Sequence, residues 1–316
     1  MKSLTKTQVC NFLQTHDNFI IISHRRPDGD TAGSSAALCL GLRKLGKTAY
    51  VLENPELTPK YAPLHQGLTQ KSPAEGDTLI CVDVASAGML PDAFAPYKDR
   101  ITLRLDHHAT ADGFTPYSLV EADAAATGEI IYDILMELGV PLDTPIADAL
   151  YTAISTDTGG FRFANTRPHT FLVASELSKV SPNLYDLNQV LFGTVSLAKL
   201  RLQGWMVENA LFLQDGKIAI CPIPLEIEQS LGCTEDDMDN ISGFPRSIQG
   251  VVLAATIRQE SPQKVKLSLR AAPGYDAGAI CAHFGGGGHK GAAGASMEMT
   301  MAEAVSALRP LLESAI

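Results

Sequence analysis

The chain has 316 residues, 45% hydrophobic and 19% charged, the make-up of an ordinary soluble globular protein with length enough for two cores. A formal net charge of −10 argues against a general duplex-DNA binder, because neutralising phosphates takes a basic surface. A small anionic substrate stays open, and six scattered cysteines without a C-x-x-C pair make a disulfide framework or zinc ribbon unexpected.

The opening MKSLTKTQVCNFLQTHDNF has no signal-peptide apolar core, and no segment approaches ~18 continuous apolar residues. The expected address is the cytoplasm, with no membrane partner. Residues 4–15 have the spacing of an amphipathic helix, and Phe19–Ser23 reads as a buried strand. Thr31–Gly46 (TAGSSAALCLGLRKLG) predicts a helix rich in small residues, with Gly46 placed to cap its end. TAYVLE, TLICVD and ITLRLD follow as short apolar runs bounded by Gly, Pro and Asp, then ATGEIIYDILMELGV and ADALYTAISTD with helical spacing. Strands alternating with helices imply βαβ units and a mainly parallel sheet, an α/β fold.

From about residue 185 the character changes. NQVLFGTVSLAKLRLQGWMVENALF has few turn signals and predicts one long helical connector. New strand patterns come after it: KIAICPI, GVVLAATIRQ and KVKLSLR. The last alternates Val265, Leu267 and Leu269 against Lys266, Ser268 and Arg270. AICAHFGGGGHKGAAGA and a helix over 301–313 close the chain. The predicted organisation is a first domain over 1–186, a helical linker over 187–212 and a smaller α/β domain over 213–316.

The acidic and histidine residues fall at strand ends. FIII leads into His24, Asp28 and Asp30; LICV into Asp83; ITLRL into Asp106, His107 and His108; and a helical segment into Asp157. In an open α/β sheet, ligands bind outside the carboxyl ends of the strands, so three strands deliver these side chains to one edge. A lone Asp at such a place commonly caps the next helix. Several buried carboxylates repel one another, however, and gathering them requires a cation. Mixed carboxylate and imidazole donors suit Mn²⁺ better than Ca²⁺ or a thiolate-bound zinc, and there are enough of them for two ions sharing a bridging carboxylate. Two metals ~3.5–4 Å apart clamp an in-line phosphoryl displacement.

H-x-x-x-D-x-D at 24–30, an Asp after the next buried strand, LDHH at 105–108 and STDTGGFRF at 155–163 together resemble the DHH phosphoesterases. GGGGHKGAAGA at 285–295, preceded by SLR at 268–270, resembles their DHH-associated domain. The resemblance runs in order over nearly the whole chain, and the length resembles the compact nanoRNase and pAp-phosphatase branch. It implies a parallel-sheet catalytic domain, a helical linker and a smaller substrate-binding domain, with the active site in the cleft between domains. It also implies that His24 and Asp28 hold one metal, Asp30, His107 and Asp157 a second, and that Asp83 bridges them. His108 would face the substrate phosphate or the nucleophile, and Asp106 would orient the neighbouring imidazoles. The cofactor would be two divalent ions, Mn²⁺ first, with Mg²⁺ or Co²⁺ as alternatives. The nucleophile would be a hydroxide held between them.

The second domain would supply recognition. Gly287 and Gly288 leave backbone N–H groups open to a phosphate or a base edge, and His289 and Arg270 add polar side chains. Taken alone, four glycines also read as a flexible loop. They are not a P-loop, because His-Lys-Gly follows where G-K-[ST] is required. Arg162 in GGFRFANT could face the site or sit solvated in a loop. Members of the family commonly have an Asn shortly after DHH; here HHATADGF lacks it, which weakens any nucleotide contact from that loop. His65, His169 and His283 match no motif, and Trp205 reads as a packing residue.

The function implied is metal-dependent hydrolysis of very short oligoribonucleotides and of nucleotide bisphosphates such as pAp. A second enzymatic reading is hydrolysis of linear or cyclic signalling dinucleotides such as pGpG, pApA or cyclic di-AMP. GGGGH argues against inorganic pyrophosphatase, which resembles this chain only in its first half. A third reading, of another class, is a non-catalytic RNA-binding module, against which the full set of ligand-type residues stands. The oligomeric state is open between monomer and homodimer.

Overall fold

The structure is a computed structural model and describes residues 2–109, 113–238 and 240–316. The chain divides into two compact units that meet at Thr194 and Val195.

The first unit is built on β1 (Lys2–Ser3), α1 (Lys6–Thr15), β2 (Phe19–Ile22), α2 (Gly29–Lys44), β3 (Ala49–Leu52), β4 (Thr69–Gln70) and β5 (Thr78–Val82). It continues through β6 (Ile101–Asp106), β7 (Tyr117–Val120), α3 (Thr127–Glu137), α4 (Thr144–Asp157), α5 (Pro168–Ser178) and α6 (Leu184–Asn188). The strands form one seven-stranded sheet in the order β1-β7-β6-β5-β2-β3-β4. Every pairing is parallel. Both faces are covered, so the strands are continuously apolar rather than alternating. Phe19 and Ile21 enter the core packed with the helices, while Ile20 and Ile22 enter the core on the other face with Leu79, Leu90 and Phe94. Burying one such side chain stabilises the fold by about 1.5–3 kcal/mol.

The strand order has one consequence for chemistry. From β2 the chain moves outward to β3 and β4, then returns to place β5 on the other side of β2 and continues to β6 and β7. Connections leaving β2 and β5 therefore diverge, and a crevice opens at their carboxyl ends.

Helix α2 begins at Gly29, two residues before the predicted start, because Asp28 caps it by accepting from the Asp30 and Thr31 amides at 3.0 and 3.1 Å. At its other end Gly46 has φ +77°, the left-handed conformation expected of a terminating glycine. The small residues of α2 let it lie close on α4. A Cβ on Gly33 would stand 2.2 Å from the Ala149 carbonyl, and one on Gly29 would stand 2.3 Å from Thr156 Oγ1.

The stretch predicted as one helical connector over 187–212 is broken. A π-type turn over Gln189–Gly193 ends the first piece. A second helix, α7 (Leu197–Asn209), starts where Ser196 accepts from the Lys199 amide at 2.9 Å. A glycine, two β-branched residues and an N-capping serine in a row interrupt the helix.

The second unit continues with β8 (Leu211–Leu213), β9 (Ile218–Ile223), α8 (Leu225–Leu231), α9 (Glu235–Met238), β10 (Leu253–Ser261) and β11 (Lys264–Ala271). After these come α10 (Ala277–Ala282), β12 (Gly287–Gly288), β13 (Ala292–Met297) and α11 (Met301–Glu313). Its six strands run β12-β13-β11-β10-β9-β8, antiparallel except for the β9–β10 pair. Val265, Leu267 and Leu269 are buried against α10 and α11 as their alternation predicts. Trp205 packs partly buried beside Leu202 and Met206. All six cysteines are unpaired. No helix among the described residues is long and apolar enough to cross a membrane.

Candidate metal centre

The crevice at the ends of β2 and β5 is where the predicted residues gather. His24 follows β2 and is buried. Its Nδ1 lies 2.7 Å from the Arg25 carbonyl, an acceptor only, so Nδ1 carries a proton and in the neutral ring the lone pair is on Nε2. That Nε2 is 3.5 Å from Asp83 Oδ2 and 3.7 Å from Asp28 Oδ1.

Asp83, the first residue after β5, has φ +59°, a strained conformation for a non-glycine residue. Its amide donates to the Leu105 carbonyl at 2.9 Å, which fixes the turn. Its two oxygens face opposite ways. Oδ2 faces His24, while Oδ1 lies 3.7 Å from His107 Nε2 and 3.6 Å from His108 Nδ1.

Asp30 is buried in the first turn of α2 and saturated with donors. Oδ1 accepts from the Gly128 amide and Ser34 Oγ, both at 2.9 Å, and Oδ2 from the Thr127 amide at 2.7 Å. The first amides of α3 thus hold this carboxylate, as a helix N-terminus holds an anion. His107 Nε2 lies 3.8 Å from Asp30 and 3.5 Å from Asp157, the last residue of α4. His108 donates Nδ1–H to buried Asp106 at 2.8 Å, which leaves its Nε2 without a hydrogen-bond partner among the described residues.

Three groups of side chains have ligand atoms lying within 4.8 Å of one another: His24, Asp28 and Asp83; Asp30, His107 and Asp157; and Asp83, His107 and His108. Asp83 belongs to two of them. Burial, with the charges of Asp83 and Asp157, pushes the Asp30 carboxyl well above the usual carboxylate range. Burial likewise raises Asp157, to about 7. Burial works to lower the His24 imidazole, yet Asp28 and Asp83 carry it well above its ordinary value. The hydrogen bond to Asp106 raises His108. Carboxylates forced toward protonation beside imidazoles forced toward charge form a site short of positive charge, and the donor set fits a divalent cation.

Residues 18–154 match the DHH family, N-terminal domain, and residues 215–316 match the DHHA1 domain. Over 282 residues the chain is 33% identical to a protein of Thermus thermophilus named bifunctional oligoribonuclease and PAP phosphatase NrnA, covering 88% of this chain and 83% of the relative. The chain belongs to the DHH family. Its fold is that of an exopolyphosphatase-related protein from Bacteroides fragilis, with a TM-score of 0.84 and 24% identity over 98% of this chain and 95% of that one. RecJ from Thermus thermophilus, solved in complex with Mn²⁺, shares the fold at a TM-score of 0.55 and 15% identity, over 98% of this chain and 54% of RecJ.

In this DHH protein the predicted recognition residues lie in several places. Arg162 is exposed in the turn after α4, with Nε donating to the Gly159 carbonyl at 2.5 Å. Arg270 is half-buried at the end of β11 and donates to the Leu269 carbonyl at 3.2 Å. Gly287 and Gly288 form the edge strand β12, and His289 begins the turn to β13 with its amide on the Ala292 carbonyl at 2.8 Å. Gly288 is required by that pairing, since a Cβ would meet the Ala292 carbonyl oxygen at 2.6 Å; at Gly287 a Cβ would meet nothing. Of HHATADGF, Thr110, Ala111 and Asp112 lie outside the described residues. His65 is buried, with Nε2 2.9 Å from Ser35 Oγ, and His169 and His283 are exposed.

Sequence reasoning missed the residues that orient the ligands. Thr127 donates Oγ1–H to Asp83 Oδ1 at 3.0 Å while its amide holds Asp30, so one residue fixes two carboxylates. Asn165 ties the Asp157 carbonyl at 3.1 Å to the Ala125 carbonyl at 2.9 Å. The available signal for Thr127 was a Thr-Gly pair opening a helix.

Proposed function

We propose that this chain is a divalent-metal-dependent phosphohydrolase of very short oligoribonucleotides and of 3′-phosphoadenosine 5′-phosphate (pAp). One observation carries the reading: Asp83 directs one oxygen to the His24 group and the other to the His107 group. The activity named for the Thermus thermophilus relative supports the substrate class.

In the proposed assignment His24 and Asp28 hold one ion, Asp30, His107 and Asp157 a second, and Asp83 bridges them. Mn²⁺ is the ion proposed, with Mg²⁺ and Co²⁺ able to use the same donors. Bound there, the cations would supply positive charge against the phosphate and lower the pKa of a coordinated water.

The protein's own part is orientation. Thr127, Gly128 and Ser34 fix the Asp30 carboxylate, and the Arg25 carbonyl fixes the His24 tautomer. In hydrolysis, water adds to phosphorus, the P–O bond to the leaving group breaks, and the leaving oxygen takes a proton. His108 is placed as that donor: Asp106 occupies Nδ1 and favours the protonated ring, leaving Nε2–H to give. Arg270, Gly287, Gly288, His289 and Arg162 are proposed to bind the substrate phosphate and base.

The test is turnover of pAp, pApA, pGpG and cyclic di-AMP by one preparation with Mn²⁺, with and without EDTA. The expected result is fastest release from pAp and from short RNA, abolished by EDTA and restored by Mn²⁺. Hydrolysis that persists in metal-free Asp83→Ala protein would overturn the reading. Preference for pGpG or cyclic di-AMP would replace its substrate.

A further inference from the structure

Helix α4 ends on Asp157, and the chain then turns through Thr158, Gly159, Gly160 and Phe161. Gly159, Gly160 and Phe161 have φ of +58, +70 and +63°, a strained value for the phenylalanine. Backbone bonds hold the turn. The Gly160 amide donates to the Ser155 carbonyl at 2.7 Å, and the Arg162 and Phe163 amides donate to the Thr158 carbonyl at 2.9 and 3.0 Å. Its two phenylalanines take opposite courses. Phe161 packs on Tyr151 and Phe171, with ring centres 5.9 and 5.7 Å away. Phe163 stays 51% exposed.

That ring is exposed without being loose. A Cβ on Gly159 would stand 2.4–2.7 Å from the Cζ and both Cε atoms of Phe163, so the tip of the ring rests where a side chain at 159 would be. Asn165, two residues further on, donates to the Asp157 carbonyl at 3.1 Å and brings the turn back to the end of α4. Phe163 is thus held within one short turn of the metal centre. A ring half in water adds little to folding, whereas its flat apolar face suits the flat face of a nucleobase. A nucleotide whose phosphate lay at the centre would carry its base only one sugar away.

We propose that Phe163 is the platform on which a nucleobase of the substrate stacks, and that residue 159 is glycine to leave the ring its place. Every base has a π-face, so such a platform holds short RNA of any sequence. The proposal rests on the hydrolase reading for the identity of the substrate, and its test separates the two.

The test compares pAp with its base-free counterpart, ribose 3,5-bisphosphate, in full-length Phe163→Leu and Phe163→Tyr proteins with Mn²⁺. Phe163→Leu should raise KM for pAp about tenfold with kcat little changed. Phe163→Tyr keeps the ring and should stay near the starting value, and the base-free substrate should be indifferent to both changes. An unchanged KM for pAp overturns the proposal. So does an equal loss on both substrates, which is what a merely structural role would give. Binding is read separately on Phe163→Trp, with the native protein and its single Trp205 as the blank. Adding pAp should quench the new indole by stacking, and ribose 3,5-bisphosphate should not. Quenching by pAp in a chain that hydrolyses neither compound would end the hydrolase reading and keep the platform. No quenching overturns the platform, whatever the turnover.

Discussion

Ser23–Asp30, which joins β2 to the first turn of α2, and the β12–β13 hairpin are both short polar segments that contain Gly and His, yet the chain uses them in opposite ways. In the first, polar side chains are drawn inward: Asp30 is buried and takes bonds from three donors on two helices. In the second the side chains are absent or exposed, and the backbone is what comes close, with Gly288 pressed against Ala292 and Ala293. Burying several carboxylates together without a counter-charge is costly, and a bound cation relieves that cost. A glycine has two inexpensive explanations, strand packing and ligand approach, and its presence alone does not separate them. The acidic loop is therefore strong evidence for chemistry, and the glycine run is not.

The comparison is sharpened most by removing the shared carboxylate. Asp83→Asn keeps the shape and the Thr127 bond but removes the charge that faces both ligand groups. A loss on the order of 10³-fold in kcat is expected, with fewer Mn²⁺ bound per chain by calorimetric titration. Full metal stoichiometry with unchanged turnover would mean that the buried loop is structural.

Thr127→Val removes one hydroxyl bond to Asp83 and leaves the amide bond to Asp30. Because it orients a ligand rather than being one, about a 10–100-fold weaker Mn²⁺ affinity is expected, with activity recovering at saturating metal. Unchanged affinity would show that Asp83 is held by its backbone turn alone.

Thr127 also marks where the sequence stops being legible. The ligand-type residues could be read because all but Asp157, which ends a helix, follow an apolar strand, and parallel strands deliver their ends to one edge. The mainly parallel sheet expected for the first domain and the β11 alternation followed from the same periodicities. The orienting bonds could not be read, because they join residues about a hundred positions apart where the start of α3 meets the first turn of α2, at Gly128, whose Cβ would stand 2.6 Å from the Ala153 Cβ. The break before α7 lies in a stretch with few turn signals, where Ser196 caps the new helix by accepting from the Lys199 amide.

The two explanations of the glycine run come apart at neighbouring positions. Gly288→Ala forces β12 off β13 and should cost about 1–3 kcal/mol of stability, read from denaturant unfolding. Gly287→Ala meets nothing, so the melting temperature should hold. If substrate approaches this backbone, Gly287→Ala raises KM several-fold with kcat little changed. An unchanged KM would leave strand packing as the whole reason for the glycines.

The smallest expected effect concerns proton linkage at the buried loop. Asp30 and Asp157 are ordinary carboxylates when unfolded but bind protons more tightly in the metal-free fold, Asp157 with a value of about 7. Between roughly pH 4 and 7 the native state then holds more protons than the unfolded chain, so metal-free stability falls as pH rises through that window. His24 and His108 are raised too, and their contribution is also present at low pH and lost as pH rises. These four groups push the same way, while Asp28, which burial would raise but His24 holds below the ordinary carboxylate range, pushes the other way; each kcal/mol of the balance is worth about 2–4 °C in melting temperature. Mn²⁺ should reverse the slope, because it binds only the deprotonated carboxylates and neutral imidazoles and so binds more tightly as pH rises. Thermal melts at pH 5 and pH 7.5, with EDTA or with Mn²⁺, give the four values needed. Parallel slopes in the two conditions would mean that the metal is not held by these groups.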